Sequence, residues 1–154
     1  MTQEEKNLNP HISIESQYIK DFSFENPGAP GSFLNIANVP NINIALDVEI
    51  SRLEENRDIF EISLKIEATA KTDKNALFII DLTYAGIFVL ENIPEEQKEL
   101  VLVIHCPNMI FPYARKIISD ITSESGFQPL RIDPIDFARL YQNKLAEKNQ
   151  EGKA

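Results

Sequence analysis

Two neighbouring segments alternate between apolar and polar residues, and this pattern restricts the fold more than any other feature of the sequence. In 41–53 most apolar side chains fall on even-numbered positions, and in 60–68 they do so again after the polar stretch 54–58. A period of two is typical of a β-strand with one buried face. Two such strands joined by a short polar link predict an antiparallel hairpin.

Further strands are predicted before and after this hairpin. The segment 11–25 alternates too, although Ile19 falls on the polar side. The segment 77–90 is apolar almost throughout. A strand with two apolar faces needs cover on both sides, so in a single-layer sheet we expect a second subunit or a ligand to cover one of them. The expected buried row of the first strand is Ile12, Ile14, Tyr18, Phe22 and Phe24.

A long loop separates the first strand from the hairpin. Two prolines and two glycines within 26–31 forbid regular structure, and we expect the loop to continue to Pro40. Loops of this length in a compact domain are usually functional or disordered. The loop carries four large apolar side chains, which we expect to be covered and not exposed to solvent: Phe33, Leu34, Ile36 and Val39.

The second half of the chain has helical patterns. An acidic first turn predicts a helix over 95–105, and the segment 106–112, which contains two prolines, is expected to interrupt it. The apolar stripe of 113–123 predicts that the helix resumes there. Gly126 is expected to close this helix.

A final amphipathic helix is predicted with Asp133 as its N-cap and Pro134 as its first residue. The predicted architecture is therefore α+β, a four-stranded antiparallel sheet with helices packed on one face. We expect a single domain over 11–146. A disordered N-terminal lead at 1–10 and a flexible C-terminal tail at 147–154 would flank it.

Composition and charge argue against several classes of protein. The formal net charge is −9, so a nucleic-acid partner is not expected, because phosphate contacts need clustered Lys and Arg. No apolar run reaches the roughly 18 residues that cross a bilayer, and the polar N-terminus does not resemble a signal peptide. The single cysteine fits a reducing compartment. We therefore expect a cytoplasmic protein without membrane insertion.

The sequence predicts no catalytic or metal site. His11 and His105 are the only histidines, and neither has a partner at metal-ligand spacing. His105 and Cys106 are neighbours in sequence, which does not give a nucleophile and base the geometry they need. We therefore expect neither an enzyme nor a bound cofactor. The surplus of apolar surface instead favours oligomerisation, a ligand groove, or both.

Several segments resemble the SecB family of bacterial protein-export chaperones. Residues 18–30, Tyr-Ile-Lys-Asp-Phe-Ser-Phe-Glu-Asn-Pro-Gly-Ala-Pro, resemble its first strand and following loop. Gly86-Ile-Phe88 matches the end of its fourth strand, and 106–115, Cys-Pro-Asn-Met-Ile-Phe-Pro-Tyr-Ala-Arg, leads into its first main helix. Residues 127–130 and 133–137 resemble its connector and last helix. The resemblance covers nearly the whole chain in the same order.

The resemblance implies a homotetramer, a dimer of dimers, that holds unfolded precursor proteins and delivers them to the SecA ATPase. Clients would lie in long apolar grooves near the loop after the first strand and near the last helix. The basic segment of SecA would dock at Asp21, Glu25, Ile79 and Asp81. The implied groove residues are Phe33, Ile36, Phe78, Phe137 and Tyr141.

Two other functions remain open on the sequence. One is a SecB-like chaperone dedicated to a toxin–antitoxin pair, and the other is a carrier of a small apolar ligand. Both would use the same apolar groove and need no catalytic residue.

Overall fold

The computed structural model describes residues 9–34, 39–73 and 75–151. Its four strands form one antiparallel sheet in the order β1-β4-β3-β2. The strands are β1 (His11–Glu25), β2 (Asn41–Arg52), β3 (Ile59–Lys71) and β4 (Ala76–Glu91). The helices are α1 (Glu95–Leu100), α2 (Cys106–Glu124) and α3 (Phe137–Glu151), and a π-helix (Val101–His105) joins α1 to α2. A short 3-10 turn, Gly31–Phe33, lies in the loop after β1.

The two faces of the sheet differ in their cover. In β3 every even-numbered residue from Phe60 to Ala70 is buried in one apolar core with the side chains of α2. On the other face of the same strand, Lys65 and Glu67 are exposed. We call these the helix face and the open face. The predicted α+β sheet with helices on one face is confirmed.

β1 contains two bulges that change which face its side chains occupy. Its register with β4 slips once after Ile14 and again after Ile19. Between the slips, Tyr18 lies opposite Ala85 on the open face, and Ile19 lies opposite Tyr84 on the helix face. The prediction that Tyr18 belongs to the buried apolar row is therefore wrong, because each extra residue shifts the two-residue period by one.

Tyr18 covers part of the open face of β4 from within the same chain. Its hydroxyl donates a hydrogen bond to Glu61 on β3, so the side chain spans the intervening strand. Ala85, which lies opposite Tyr18, is fully buried. Burial and the Glu61 carboxylate raise the pKa of Tyr18 to about 12. The chain itself thus supplies part of the second cover that the sequence analysis assigned to another subunit or a ligand.

The prediction that 106–112 interrupts the helix is wrong. α1, the π-helix and α2 follow one another as one continuous helical segment. Pro107 lies in the first turn of α2, directly after the π-helix, where the wider turn leaves room for its ring. Pro112 costs α2 one backbone hydrogen bond, and the full burial of Ile110 beside it offsets that loss.

α2 ends where the sequence predicts. Gly126 has a φ of +94°, a conformation that glycine adopts without strain. The Phe127 N–H donates to the Thr122 carbonyl at 3.0 Å, and the Gly126 N–H donates to the Ser123 carbonyl at 3.3 Å. These two bonds make a Schellman motif, which confirms that Gly126 closes the helix.

α3 begins at Phe137 and not at Pro134, which corrects the predicted start. The cap is Asp136, whose carboxylate accepts a hydrogen bond from the Arg139 N–H at 3.1 Å. Asp133 instead lies in the extended connector, because Asp136 is the aspartate directly before Phe137, whose buried ring begins the helix. α3 continues to Glu151, beyond the predicted domain boundary at 146. Residues 1–8 and 152–154 lie outside the described ranges, so most of the predicted lead and the end of the predicted tail do as well.

Candidate functional site

Four phenylalanine rings from different parts of the chain meet at one end of the sheet. Their centroids are separated by 6.1 Å (Phe24 to Phe78), 5.1 Å (Phe78 to Phe127) and 5.2 Å (Phe127 to Phe33). These are the separations of favourable aromatic pairs. Three of the rings border a cavity of about 530 Å³, which we call the aromatic cavity. Its apolar walls include Phe33, Val39, Ile42, Phe78, Phe127 and Leu130.

The end of α2 shapes one wall of the aromatic cavity. A Cβ atom added at Gly126 would lie 2.9 Å from two ring atoms of Phe33. Real side chains do not approach so closely, so only glycine allows the ring to rest against this turn. The residue that ends the helix therefore also seats the aromatic side chain of the loop.

A second cavity lies near the other end of β2, under α3. It has a volume of about 200 Å³, and we call it the helix cavity. Phe137 anchors α3 here, because its ring is buried and meets the ring of Phe111 edge-on at 6.0 Å. The walls of the helix cavity include Val48, Ile50, Val103, Phe137, Leu140 and Tyr141.

Polar contacts hold the outer side of α3. Lys144 forms an ion pair with Asp47 of β2, and the hydrogen bond from Lys144 holds the pKa of Asp47 below its usual value. A hydrogen bond to the Glu99 carboxylate raises the pKa of the Tyr141 phenol. The α3 wall of the helix cavity is thus held in place by solvent-accessible polar contacts.

β2 joins the two cavities along one apolar row. Ile42 lines the aromatic cavity, and Val48 and Ile50 line the helix cavity. The row is incompletely covered, since β2 is an edge strand and its isoleucines on the helix face remain 37–43% exposed. From Ile42 to Ile50 the row spans roughly 27 Å at about 3.4 Å per residue. We call the two cavities and this row (Ile42, Ile44, Leu46, Val48 and Ile50) the apolar groove.

The groove residues implied by the family resemblance fall into two groups. Phe33 and Phe78 line the aromatic cavity, whereas Phe137 and Tyr141 line the helix cavity. Ile36 lies outside the described residues. The structure therefore brings these residues to two ends of one surface and not to a single pocket.

The sequence analysis missed several residues of this groove. The β2 row was interpreted only as the buried face of a strand, because periodicity cannot tell an edge strand from a central one. Phe127 was recognised as part of a similar segment but was not assigned to the groove. The position of Phe127 directly after the glycine that ends α2 is the sequence signal that could have identified it as a groove residue.

The four residues implied for SecA docking share the open face. Glu25 of β1 lies opposite Ile79 of β4, and Asp81 of β4 lies between Ser23 of β1 and Glu67 of β3. Ile79 is half-buried, whereas the acidic side chains are exposed. The structure adds Glu67 to this group. We call Asp21, Glu25, Glu67, Ile79 and Asp81 the acidic face.

Cys106, the only cysteine of the sequence, is buried in the core. Burial raises the pKa of the Cys106 thiol to about 12, so this buried group is a poor nucleophile at neutral pH. Among the described residues, no three His, Cys, Asp or Glu side chains are grouped to hold a metal ion. In the same part of the chain, no helix has the length and apolar character needed to cross a membrane.

Comparison with known proteins gives consistent similarities. The family model for preprotein translocase subunit SecB matches residues 5–148. Protein-export protein SecB of Rickettsia akari is 54% identical over 138 residues, which are 90% of this chain and 90% of that protein. The protein of the same description from Rickettsia bellii is 51% identical over the same shares.

A solved structure has a similar fold. It is a SecB-like chaperone of Mycobacterium tuberculosis in complex with a peptide from an antitoxin. The TM-score is 0.66, and the match covers 80% of this chain and 90% of the other. The sequence identity is 13%, so the likeness concerns the fold alone.

Proposed function

Because this chain belongs to the SecB family and is a protein-export chaperone, we propose that its apolar groove holds unfolded precursor proteins. It keeps them competent for translocation in the cytoplasm and delivers them to the SecA ATPase. The observation that carries this proposal is the half-exposed apolar row of β2 between two cavities. Such a surface suits extended chains with apolar side chains. Holding a chain in this way requires no cofactor.

The backbone of β2 offers a second kind of contact. The Leu53 N–H donates to the Ile59 carbonyl at 2.8 Å, so the odd-numbered residues here direct their backbone groups towards β3. In an antiparallel pair this direction alternates along the strand. The even-numbered residues from Ile42 to Ile50 therefore direct their N–H and C=O groups to the free edge. The same residues present apolar side chains to the groove.

An extended client segment can use both contacts by adding to β2 as a fifth strand. Its backbone would pair with the free edge, while its alternate apolar side chains enter the groove. Large side chains of the client would occupy the aromatic cavity. Affinity then comes from many weak contacts, so a chain that folds fast escapes and a chain that folds slowly is held.

The acidic face lies on the opposite side of the sheet from the groove. Lys20 pairs with Glu61 and Lys65 pairs with Glu49, which leaves the carboxylates of the acidic face for a basic partner. We assign to this face the docking of the basic segment of SecA. Because the two surfaces are on different faces, client and motor can be bound at the same time.

Export is favoured over the two alternative functions. Identities above 50% to protein-export proteins extend over 90% of the chain, whereas the chaperone bound to an antitoxin peptide is 13% identical. The groove is open along an edge of roughly 27 Å. That length suits an extended peptide better than a small ligand.

A mutation of Phe33 tests the groove. Phe33→Ala removes one wall of the aromatic cavity from an exposed loop, so we expect about five- to tenfold weaker binding of an unfolded precursor. The free energy of unfolding should fall by about 1 kcal/mol, because the Phe33 ring also packs on Phe127. The measurement is the concentration of chaperone that halves the refolding rate of a slow-folding precursor.

Leu34→Ala is the matched control for this variant. Leu34 is the next residue, is 80% exposed and does not border the aromatic cavity. It should hold precursors as well as the wild type does. Unchanged holding by Phe33→Ala would show that clients bind elsewhere.

Apolar surface that the single chain leaves exposed supports the proposed assembly. Ile19 and Tyr113 are 51% and 53% exposed, and Tyr113 stacks on Tyr84 with a centroid separation of 6.4 Å. β1 is also an edge strand. The proposed homotetramer is a dimer of dimers that pairs β1 edges into larger sheets and brings the α2 helices together.

Light scattering tests this assembly. The wild type should scatter as a particle of four chains, and Tyr113→Glu should leave two, because a charge placed between α2 helices is desolvated without a partner. Tyr113→Phe keeps the ring and should preserve four chains. A wild-type particle of one chain would contradict the assembly.

A further inference from the structure

Lys144 reaches across the free edge of the sheet. Asp47 is an odd-numbered residue of β2 that lies opposite Lys65, so its side chain belongs to the open face. Lys144 belongs to α3 on the helix side, where it lines the helix cavity. Its ammonium group nevertheless pairs with the Asp47 carboxylate. The Asp47 carboxylate also accepts a hydrogen bond from the Val48 N–H, which is one of the outward backbone groups, so the ion pair lies at the edge of β2.

We propose that the Lys144–Asp47 ion pair is a latch that closes the edge of β2 to an incoming strand. The inference rests on the proposed addition of client segments to this edge. Leu46 and Val48 lie in the middle of the apolar row, so a closed latch leaves an incoming strand only short stretches on either side. Pairing along the full row requires Lys144 to leave Asp47.

The position of α3 suits a latch that opens easily. Phe137 anchors only the first turn of the helix, whereas Tyr141 and Lys144 hold it further along by polar contacts. The side chains of the ion pair are 42% and 52% exposed, and exposed pairs of this kind are weak. Opening the latch therefore costs a small amount of free energy. Segments that make many apolar contacts with the groove offset this cost, whereas segments that make few do not.

A neutral peptide of about twelve residues that alternates valine and serine, acetylated and amidated at its ends, is a suitable probe of this edge. A second peptide carries N-methyl groups on two adjacent central residues, which block both of its hydrogen-bonding edges. Lys144→Met keeps the apolar stem and removes the charge, and Asp47→Asn removes the other partner. Binding of fluorescein-labelled peptide to the full-length protein is measured by anisotropy.

We expect each variant to bind the unmodified peptide about two- to threefold more tightly than the wild type does. The double variant should gain no more than either single one, because both remove the same contact. Arg139→Met, at an exposed position of α3 outside the helix cavity, also removes a positive charge from this helix and should behave as the wild type. The N-methylated peptide should bind all variants equally weakly.

Two results would overturn the latch, and they are distinguishable. Wild-type protein that binds both peptides equally would disprove strand addition, and the latch with it. Wild-type protein that prefers the unmodified peptide, with no gain in Lys144→Met or Asp47→Asn, would disprove the latch alone. A gain that appears equally in Arg139→Met would likewise show that net charge, and not the ion pair, is responsible.

Discussion

Asp81→Lys is expected to weaken binding of SecA at least tenfold while leaving the capture of unfolded precursors unchanged. Asp81 is exposed on the open face, between Ser23 and Glu67. Reversal of its charge replaces attraction of a basic segment by repulsion, and a tenfold loss corresponds to about 1.4 kcal/mol. Capture persists because the apolar groove lies on the other face of the sheet.

Titration calorimetry with purified SecA measures this loss, and the refolding assay measures capture. Glu91→Lys is the matched control, because it makes the same charge change at the far end of the same strand, roughly 34 Å away at about 3.4 Å per residue. It should bind SecA nearly as the wild type does. Equal losses in the two variants would indicate long-range electrostatics and would rule out docking at Asp81. The loss should also shrink at high salt, because screening weakens both attraction and repulsion.

Gly126→Ala is expected to lower the free energy of unfolding by about 2 kcal/mol and to weaken client binding together with it. The residue has a φ of +94°, which strains any side chain other than hydrogen. The new Cβ would also lie 2.9 Å from the ring of Phe33, so the ring must move out of the aromatic cavity. One substitution thus damages both the end of α2 and a wall of the groove.

Urea unfolding and the refolding assay separate the two effects. Gly31→Ala is the control, because Gly31 lies two residues before Phe33 in the loop after β1 and a Cβ there meets nothing within 4 Å. It should be nearly neutral in both assays. Combining Gly126→Ala with Phe33→Ala should restore part of the lost stability, since the clash disappears and only the backbone strain remains. Wild-type stability of Gly126→Ala would contradict this account of the turn.

The sequence predicted the hairpin of β2 and β3 well because each strand has one buried and one solvated face. β1 was harder, since its two bulges are occupied by polar residues that carry no special signal. If Glu15 and Lys20, the extra residues of the bulges, are left out of the count, the strand alternates except that Gln17 falls on the helix face and Tyr18 on the open face. Ile19 then joins Ile14 and Phe22 in the row that faces the helices. The alternation of odd and even positions therefore predicts the wrong face only between the two bulges of β1.

The remaining differences come from tertiary packing. Pro112 reads as a helix breaker, but burial of neighbouring side chains keeps α2 intact. Asp133 and Asp136 are both good caps, and only packing of the following residues selects Asp136. The apolar groove could not be predicted without the strand order. The even positions of Ile42 and Ile50 show that the two side chains share a face of the strand, but they do not show that β2 is an edge strand.

The two slips of β1 have a consequence for how this sheet can grow. From Asn41 to Arg52, β2 keeps one register with its neighbour, so its outer backbone groups are evenly spaced. The opposite edge of the sheet, β1, is irregular at its two bulges. An even margin accepts almost any extended sequence, whereas an irregular one accepts only a strand with matching breaks. The proposed client edge at β2 therefore suits chains of many sequences, whereas the edge at β1 suits a partner with the same breaks, such as a second copy of this chain.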